Sequence, residues 1–179
     1  MKTIIETPRL VLREFVPADA DALARVISDP VTMRYFPMRF DRAAVEEWID
    51  RNRRRYETTG HGLWAMELKS SGEMIGDCGI TLQEVDGERM LEIGYHLRRD
   101  LWGQGLATEA ARACREHGFM HLHAAFLISL IRPENEASRR VAERCGMTVW
   151  KETVRVGLAH LVYRVTREEW EAAESVRPG

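Results

Sequence analysis

The chain has 179 residues, 30% of them charged and 45% hydrophobic, with a formal net charge of −2. That balance describes an ordinary globular protein and lacks the basic excess that phosphate contacts to nucleic acid call for. No apolar run approaches the roughly 20 residues of a membrane span, so neither a nucleic-acid partner nor a membrane partner is expected.

One domain, residues 1–179, is the simplest organisation, because no repeat, low-complexity tract or Pro/Gly/Ser linker interrupts the chain. The first residues, Met1 to Glu6, lack the apolar core of a signal peptide. Cys78, Cys114 and Cys145 are odd in number and far apart. They read as buried reduced thiols, and the expected location is the cytoplasm.

Pro8 to Glu14 alternates like a strand, with Leu10 and Leu12 on one face. Pro17 suits the first turn of a helix whose apolar stripe is Ala20, Leu23, Ala24 and Ile27. Asp41 is a good N-cap for a second helix that places Val45, Trp48, Ile49 and Tyr56 on one side. Its other side carries Arg51, Arg53, Arg54 and Arg55, which read as a solvated face, with anion binding the less favoured alternative. Leu63–Lys69 and Met74–Leu82 form a hairpin around Ser70, Ser71 and Gly72. After the Asp86-Gly87 turn comes the strand Leu91–Leu97, then a helix from about Gly105 that ends near Gly118. The apolar run from Ala124 to Ile131 reads as a strand covered on both faces. Asn135 caps a helix that stops at Gly146, strands follow around 148–156 and 159–166, and Thr166 with Glu169 opens a last short helix. The fold class is therefore α+β: a mixed, mostly antiparallel sheet with one parallel βαβ crossover, flanked by helices.

The most informative segment is Trp102-Gly-Gln-Gly-Leu-Ala-Thr108, directly after a strand and opening a helix. Gly103 and Gly105 have no Cβ, so bare N–H groups can meet an anion at the positive end of the helix dipole. A phosphorylated ligand at 103–108 follows. The P-loop pattern is missing altogether. A dinucleotide fold is disfavoured because Thr108 stands where its last glycine belongs, even though Glu134 would serve as its ribose acid, and only one βαβ unit exists.

This loop, after Glu92-Ile-Gly-Tyr-His-Leu97, resembles the acetyl-coenzyme A pyrophosphate loop of the GNAT acetyltransferase superfamily. Thr7-Pro-Arg-Leu-Val-Leu-Arg13 and the Ser28–Tyr35 segment are similar to the N-terminal segments of its ribosomal-protein alanine N-acetyltransferase branch. Pro133-Glu-Asn with Ser138, followed by Cys145-Gly-Met147, resembles that family's second cofactor segment. The Gln or Arg of the superfamily pattern is Trp102 here, which leaves phosphate binding to backbone amides. The resemblance implies that the parallel strands splay around acetyl-coenzyme A. It also implies that Tyr95, Leu97, Arg98, Gly103, Gln104, Gly105, Leu106, Ala107, Thr108, Asn135 and Ser138 touch this cofactor. The implied activity is acetyl transfer to a primary amine by direct attack in a ternary complex. The implied acceptor is a protein N-terminal α-amine, with a small amine (polyamine, aminoglycoside or amino acid) or a non-catalytic coenzyme A sensor as the alternatives. Oligomeric state is left at monomer or homodimer.

Acetyl transfer needs a neutral amine. Keeping an α-amine (pKa roughly 7.8) neutral at pH 7 costs about 1 kcal/mol, against about 4.6 kcal/mol for a lysine amine. Glu92, an acid in an apolar strand, is the candidate base; an edge-paired glutamate is the plain alternative. Ser138 is the candidate hydrogen-bond donor to the departing thiolate, and Asn135 with Ser138 also makes an ordinary helix start. His96 faces the same side as Glu92 and is a second possible proton acceptor, with cofactor-arm packing the plainer role. An oxyanion would be held by a backbone N–H near Gly94 or Tyr95. Tyr35, Phe36 and Trp64 are expected to wall the acceptor pocket, built from segments around 31–40, 61–66 and 155–163, with core packing the plainer alternative for any one of them, and Tyr163 and Tyr95 either line it or pack. His117, His121 and His123 cluster where a helix ends and positive charge is welcome; no metal is expected there.

Overall fold

The computed structural model describes residues 2–36 and 40–175. Its strands are β1 (Thr3–Glu6), β2 (Leu10–Arg13), β3 (Leu63–Leu68), β4 (Glu73–Val85), β5 (Glu88–Leu97), β6 (Phe126–Ile131), β7 (Thr148–Arg155) and β8 (Leu158–Thr166). Its helices are α1 (Ala20–Ile27), α2 (Arg42–Thr59), α3 (Leu106–Met120), α4 (Glu136–Arg144) and α5 (Arg167–Ser175). The strands form one sheet in the order β1-β2-β3-β4-β5-β6-β8-β7. Only β5 and β6 run parallel; the other neighbours are antiparallel. The α+β class with a single parallel crossover through α3 is what the chain forms.

Strand alternation divides the core. Leu63, Ala65 and Met74 face α1 and α2, where Leu23, Ile27, Val45 and Trp48 complete one cluster. Trp64, Met66, Cys78 and Ile80 face α3 and α4 on the other side. Caps read from sequence are formed: the Asp41 carboxylate accepts the Ala44 amide at 2.9 Å, and Thr166 and Glu169 exchange hydrogen bonds at 2.8 and 3.2 Å.

Strand β1, for which no expectation was set, follows no alternation long enough to announce it and forms by pairing with β2. Two expectations need correction. β4 and β5 extend to the tight turn at Asp86-Gly87, three residues beyond the expected limits. Helix α3 does not stop at Gly118 but runs through Met120. Gly118 is buried, and a Cβ there would lie 2.8 Å from Leu127 Cδ1 and 3.0 Å from Ile80 Cδ1. Its job is to let the helix lie close on the sheet.

The parallel pair matters most for the site. β5 and β6 share one ladder bridge, Glu92 opposite Ile128, and no further rung above it. Ser129 Oγ donates to the Ile93 carbonyl at 2.8 Å just beyond, and from there the strands part.

Candidate active site

The residues after β5 prepare an anion cradle. Trp102 Nε1 donates to the Leu97 carbonyl at 2.8 Å and pins the loop to the strand end. Gly103 and Gly105 then take φ +78° and +77°, a region that L side chains rarely occupy. The first amide of α3 to reach a main-chain acceptor is that of Glu109, which donates to Gly105 O at 3.0 Å. Among the described residues, the amides of 103 to 108 make no backbone hydrogen bond. They sit at a helix N-terminus without internal partners, as a phosphate requires.

The loop is held from outside by the Thr7–Arg9 turn. Glu109 accepts from Thr7 Oγ1 at 2.7 Å and from Arg9 N and Nε at 2.9 and 2.6 Å, while Arg9 Nη1 donates to Gln104 O at 2.9 Å. Glu109 is held below the usual carboxylate range, because the Thr7 and Arg9 bonds outweigh its partial burial. The N-terminal segment that carried the family resemblance is therefore a clamp on the loop.

Two cavities open at the splay. One, of about 360 Å³, runs from Gly103 and Gly105 through Leu106, Ala107 and Thr108 to α4. The other, of about 400 Å³, lies under α2 and is walled by Trp48, Arg51, Arg55, Glu92 and Arg155, among others. Tyr35, Phe36, Tyr95, His96, Asn135 and Ser138 border both, so the two cavities meet.

Hydrogen bonds and ring contacts hold the junction. Asp77 is fully buried, accepting from Trp48 Nε1 at 2.8 Å and facing His96 Nδ1 at 2.7 Å. Phe36 and Trp48 rings flank His96 at 5.1 and 5.4 Å. Tyr95 donates its hydroxyl to the Ser138 carbonyl at 2.9 Å, and burial pushes its pKa well above the usual tyrosine value. The Asn135 carboxamide accepts the Ser138 amide at 3.2 Å, which caps α4. Glu92 accepts the Leu130 amide at 3.3 Å, an N–H that the parting strands leave without a ladder partner. Burial raises the Glu92 pKa, and the Leu130 amide and Arg155 draw it back.

Of the expected residues, Glu92, Ser138, Asn135, Tyr35, Phe36, Tyr95, Leu97, Gly103, Gly105, Leu106, Ala107 and Thr108 border one cavity or both. Trp64 does not. It is fully buried on the α3 side with its ring 5.3 Å from His117, because alternation sends the neighbouring Leu63 toward the acceptor cavity instead. Arg98 borders neither cavity and pairs with Asp100 and Glu73 at 2.8 and 3.6 Å. Gln104 borders neither cavity, and its carbonyl serves the Arg9 clamp. Tyr163 packs in the core, bonded to Arg139 and Glu143 at 3.1 and 3.0 Å. Of the 31–40 segment, residues 37–39 lie outside the described residues.

The sequence reading missed Asp77, whose role depends on pairing with His96 across β4 and β5. It also missed Arg132 and Arg155 of the acceptor cavity, and set anion binding by Arg51 and Arg55 second to a solvated face. Arg53 and Arg54 pair with Asp50 and Glu47 on the outer face of α2, but Arg51 and Arg55 share the Trp48 face and border the cavity. Helical spacing from Trp48 (i+3 and i+7) was the available signal.

Known proteins carry the same architecture. The family model described as an acetyltransferase (GNAT) domain matches residues 9–148. The chain is 40% identical over 147 residues to YkkB of Bacillus subtilis (strain 168), covering 82% of this chain and 86% of that one. It is 31% identical over 134 residues to p20 of Bacillus licheniformis, named as an N-acetyltransferase, covering 74% and 75%. A solved structure, the acetyltransferase from Agrobacterium tumefaciens str. C58, superposes with a TM-score of 0.79 at 31% identity, covering 93% and 95% of the two chains. With the match spanning both the amide cradle and the start of α4, the chain belongs to the GNAT family of N-acetyltransferases, enzymes that use acetyl-coenzyme A.

Proposed function

We propose that this enzyme acetylates the N-terminal α-amine of a protein, with donor and acceptor bound together. The observation that supports this reading is the meeting of two cavities across one shared wall, which lets both occupants sit at once without a covalent enzyme species. Four arginines in the acceptor cavity disfavour polycations such as polyamines and aminoglycosides. An α-amine also needs the least help to become neutral. Residues 1–179 are read as one domain, with walls of the site drawn from Tyr35 through His160.

Free amides at 103–108 hold the diphosphate, with Arg140 and Arg144 at the edge of the same cavity adding positive charge. Asn135 and Tyr95 border the path from there to the junction. Bound acetyl-coenzyme A supplies an activated thioester carbonyl. Glu92 takes the amine proton, directly or through a water in the cavity; its raised pKa brings it nearer to neutral pH, where a base works best. His96, its Nδ1 side held by Asp77, stands at the junction as the second acceptor. Ser138 Oγ offers a hydrogen bond on the sulfur side.

An acceptor panel of N-terminal peptides, polyamines and aminoglycosides, read by free-thiol release, tests the activity. Peptides are expected to react and polycations to lag. Transfer to none of them removes the proposal. Glu92→Gln is expected to lower kcat by about 10²- to 10⁴-fold with acetyl-coenzyme A affinity kept. A full-rate Glu92→Gln enzyme moves the base to His96.

A further inference from the structure

The acceptor cavity has an unbalanced charge that acetyl transfer as such does not need. Among the described residues, four guanidinium groups border it (Arg51, Arg55, Arg132 and Arg155) against the single carboxylate of Glu92. Among the described residues, no carboxylate lies within ion-pair distance of Arg51, Arg55 or Arg155. Arg51 rests over the Trp48 ring at 4.9 Å, Arg55 donates to the Asn52 carboxamide at 3.2 Å, and Arg155 donates to the Gln83 carboxamide at 3.1 Å. Arg132 reaches Glu134 at 3.4 Å, but its Nε is buried with no hydrogen-bond partner. The outward neighbours on α2 show the contrast, since Arg53 and Arg54 have carboxylates at 3.3 and 2.6 Å.

The cations also act on one another. Arg55 is pushed below the usual arginine value by burial and then by Arg51. His160, in the same wall, is lowered by burial and by Arg132 and Arg155. Arg55 and Arg155 are half-buried without a carboxylate, which is costly, and an anion that arrives with the ligand relieves that cost through charge-assisted hydrogen bonds.

We infer that the acceptor bears a carboxylate close to its reacting amine, seated on Arg51, Arg55, Arg132 and Arg155. This rests on the acetyl-transfer reading and narrows it. The carboxylate has two possible sources: an acidic side chain in the first residues of a protein, or the free carboxylate of a small amino acid. Both present the same chemistry to the cavity. The arginines also give the site its orientation, because an anion held under α2 leaves the amine toward Glu92 and the junction. A cationic wall lowers the pKa of an amine bound beside it, which favours the neutral nucleophile.

The experiment measures kcat/KM by thiol release on the wild-type enzyme in two arms. One arm uses peptides identical except for Asp, Asn or Lys at the second residue. The other uses aspartate and glycine against their amides. At low salt the acidic member of at least one arm is expected to exceed its neutral partner by about tenfold, and the Asp peptide to exceed the Lys peptide by more. The arm that shows the preference identifies the source. The preference is expected to shrink between 50 and 500 mM salt, as screening requires. Replacing both α2 residues, Arg51→Glu with Arg55→Glu, is expected to turn the preference toward the Lys peptide, with acetyl-coenzyme A binding by calorimetry reporting a folded protein. Equal rates for charged and neutral members in both arms overturn this inference and leave acetyl transfer standing. No transfer to any acceptor overturns the acetyl-transfer reading and this inference with it. Should the double variant not fold, the salt series decides alone, and a preference indifferent to salt overturns the inference.

Discussion

Gly105, like Gly103, holds a left-handed backbone angle in the cradle. Its φ of +77° costs an L side chain about 1–2 kcal/mol, and a β-branched side chain more. Gly105→Val is expected to weaken acetyl-coenzyme A binding by at least about tenfold in calorimetry, and unaltered affinity would detach the loop from phosphate binding. The same residue scale shows what a sequence can and cannot tell. Gly103 and Gly105 were legible because only a glycine meets both the positive φ and the bare amide. Trp64 was misplaced by one position of a period-two pattern. Asp77 was not singled out, since its role depends on a cross-strand partner, His96, that only the strand register identifies.

Helix α3 shows competing local rules at the element scale. Histidines at its C-terminal end read as welcome positive charge, yet His117 is packed against the Trp64 and His121 rings at 5.3 and 4.8 Å. Burial, then the nearby His121 and His61, holds its pKa down at about 4, against 6.5 for a free histidine, so packing wins over the helix dipole. Between those two values the unfolded chain binds a proton that the folded one refuses, so stability falls as pH drops from 6.5 to 4. The slope from this group is at most about 1.4 kcal/mol per pH unit, less for the solvated part of the ring. Urea titrations of His117→Phe are expected to show a flatter pH dependence over that window, and an unchanged slope would place the loss elsewhere. Elements were legible where caps and periods agreed, as at Asp41 and Thr166. The end of α3 was not, because Gly118 looks like a cap in sequence and is a close-packing site in space.

At the scale of the molecule, the clamp, the cradle and the acceptor wall come from distant parts of the chain. Arg9 and Glu109 are 100 residues apart, and Gln83 and Arg155 are 72 apart. Motif order announced the cradle and the start of α4, which are local. The acceptor cavity is assembled from α2, β5, β6 and the β7–β8 end of the sheet, so no contiguous string describes it. The arginine run on α2 was visible all along, but which of its members border the cavity is a property of how α2 lies on the sheet.

A sheet sewn along one seam by a single rung behaves as two plates on a common hinge. The plate β1–β5 and the plate β6–β8 are each continuous ladders, joined directly at Glu92–Ile128, by the Ser129 hydroxyl and by the Leu130 amide on the Glu92 carboxylate. A molecule wedged into the open seam splices them. Amide hydrogen exchange is expected to give two distinct protection levels for the plates in the free enzyme and a single, higher one once coenzyme A is added. Equal protection before ligand would mean that the helices alone already lock the hinge.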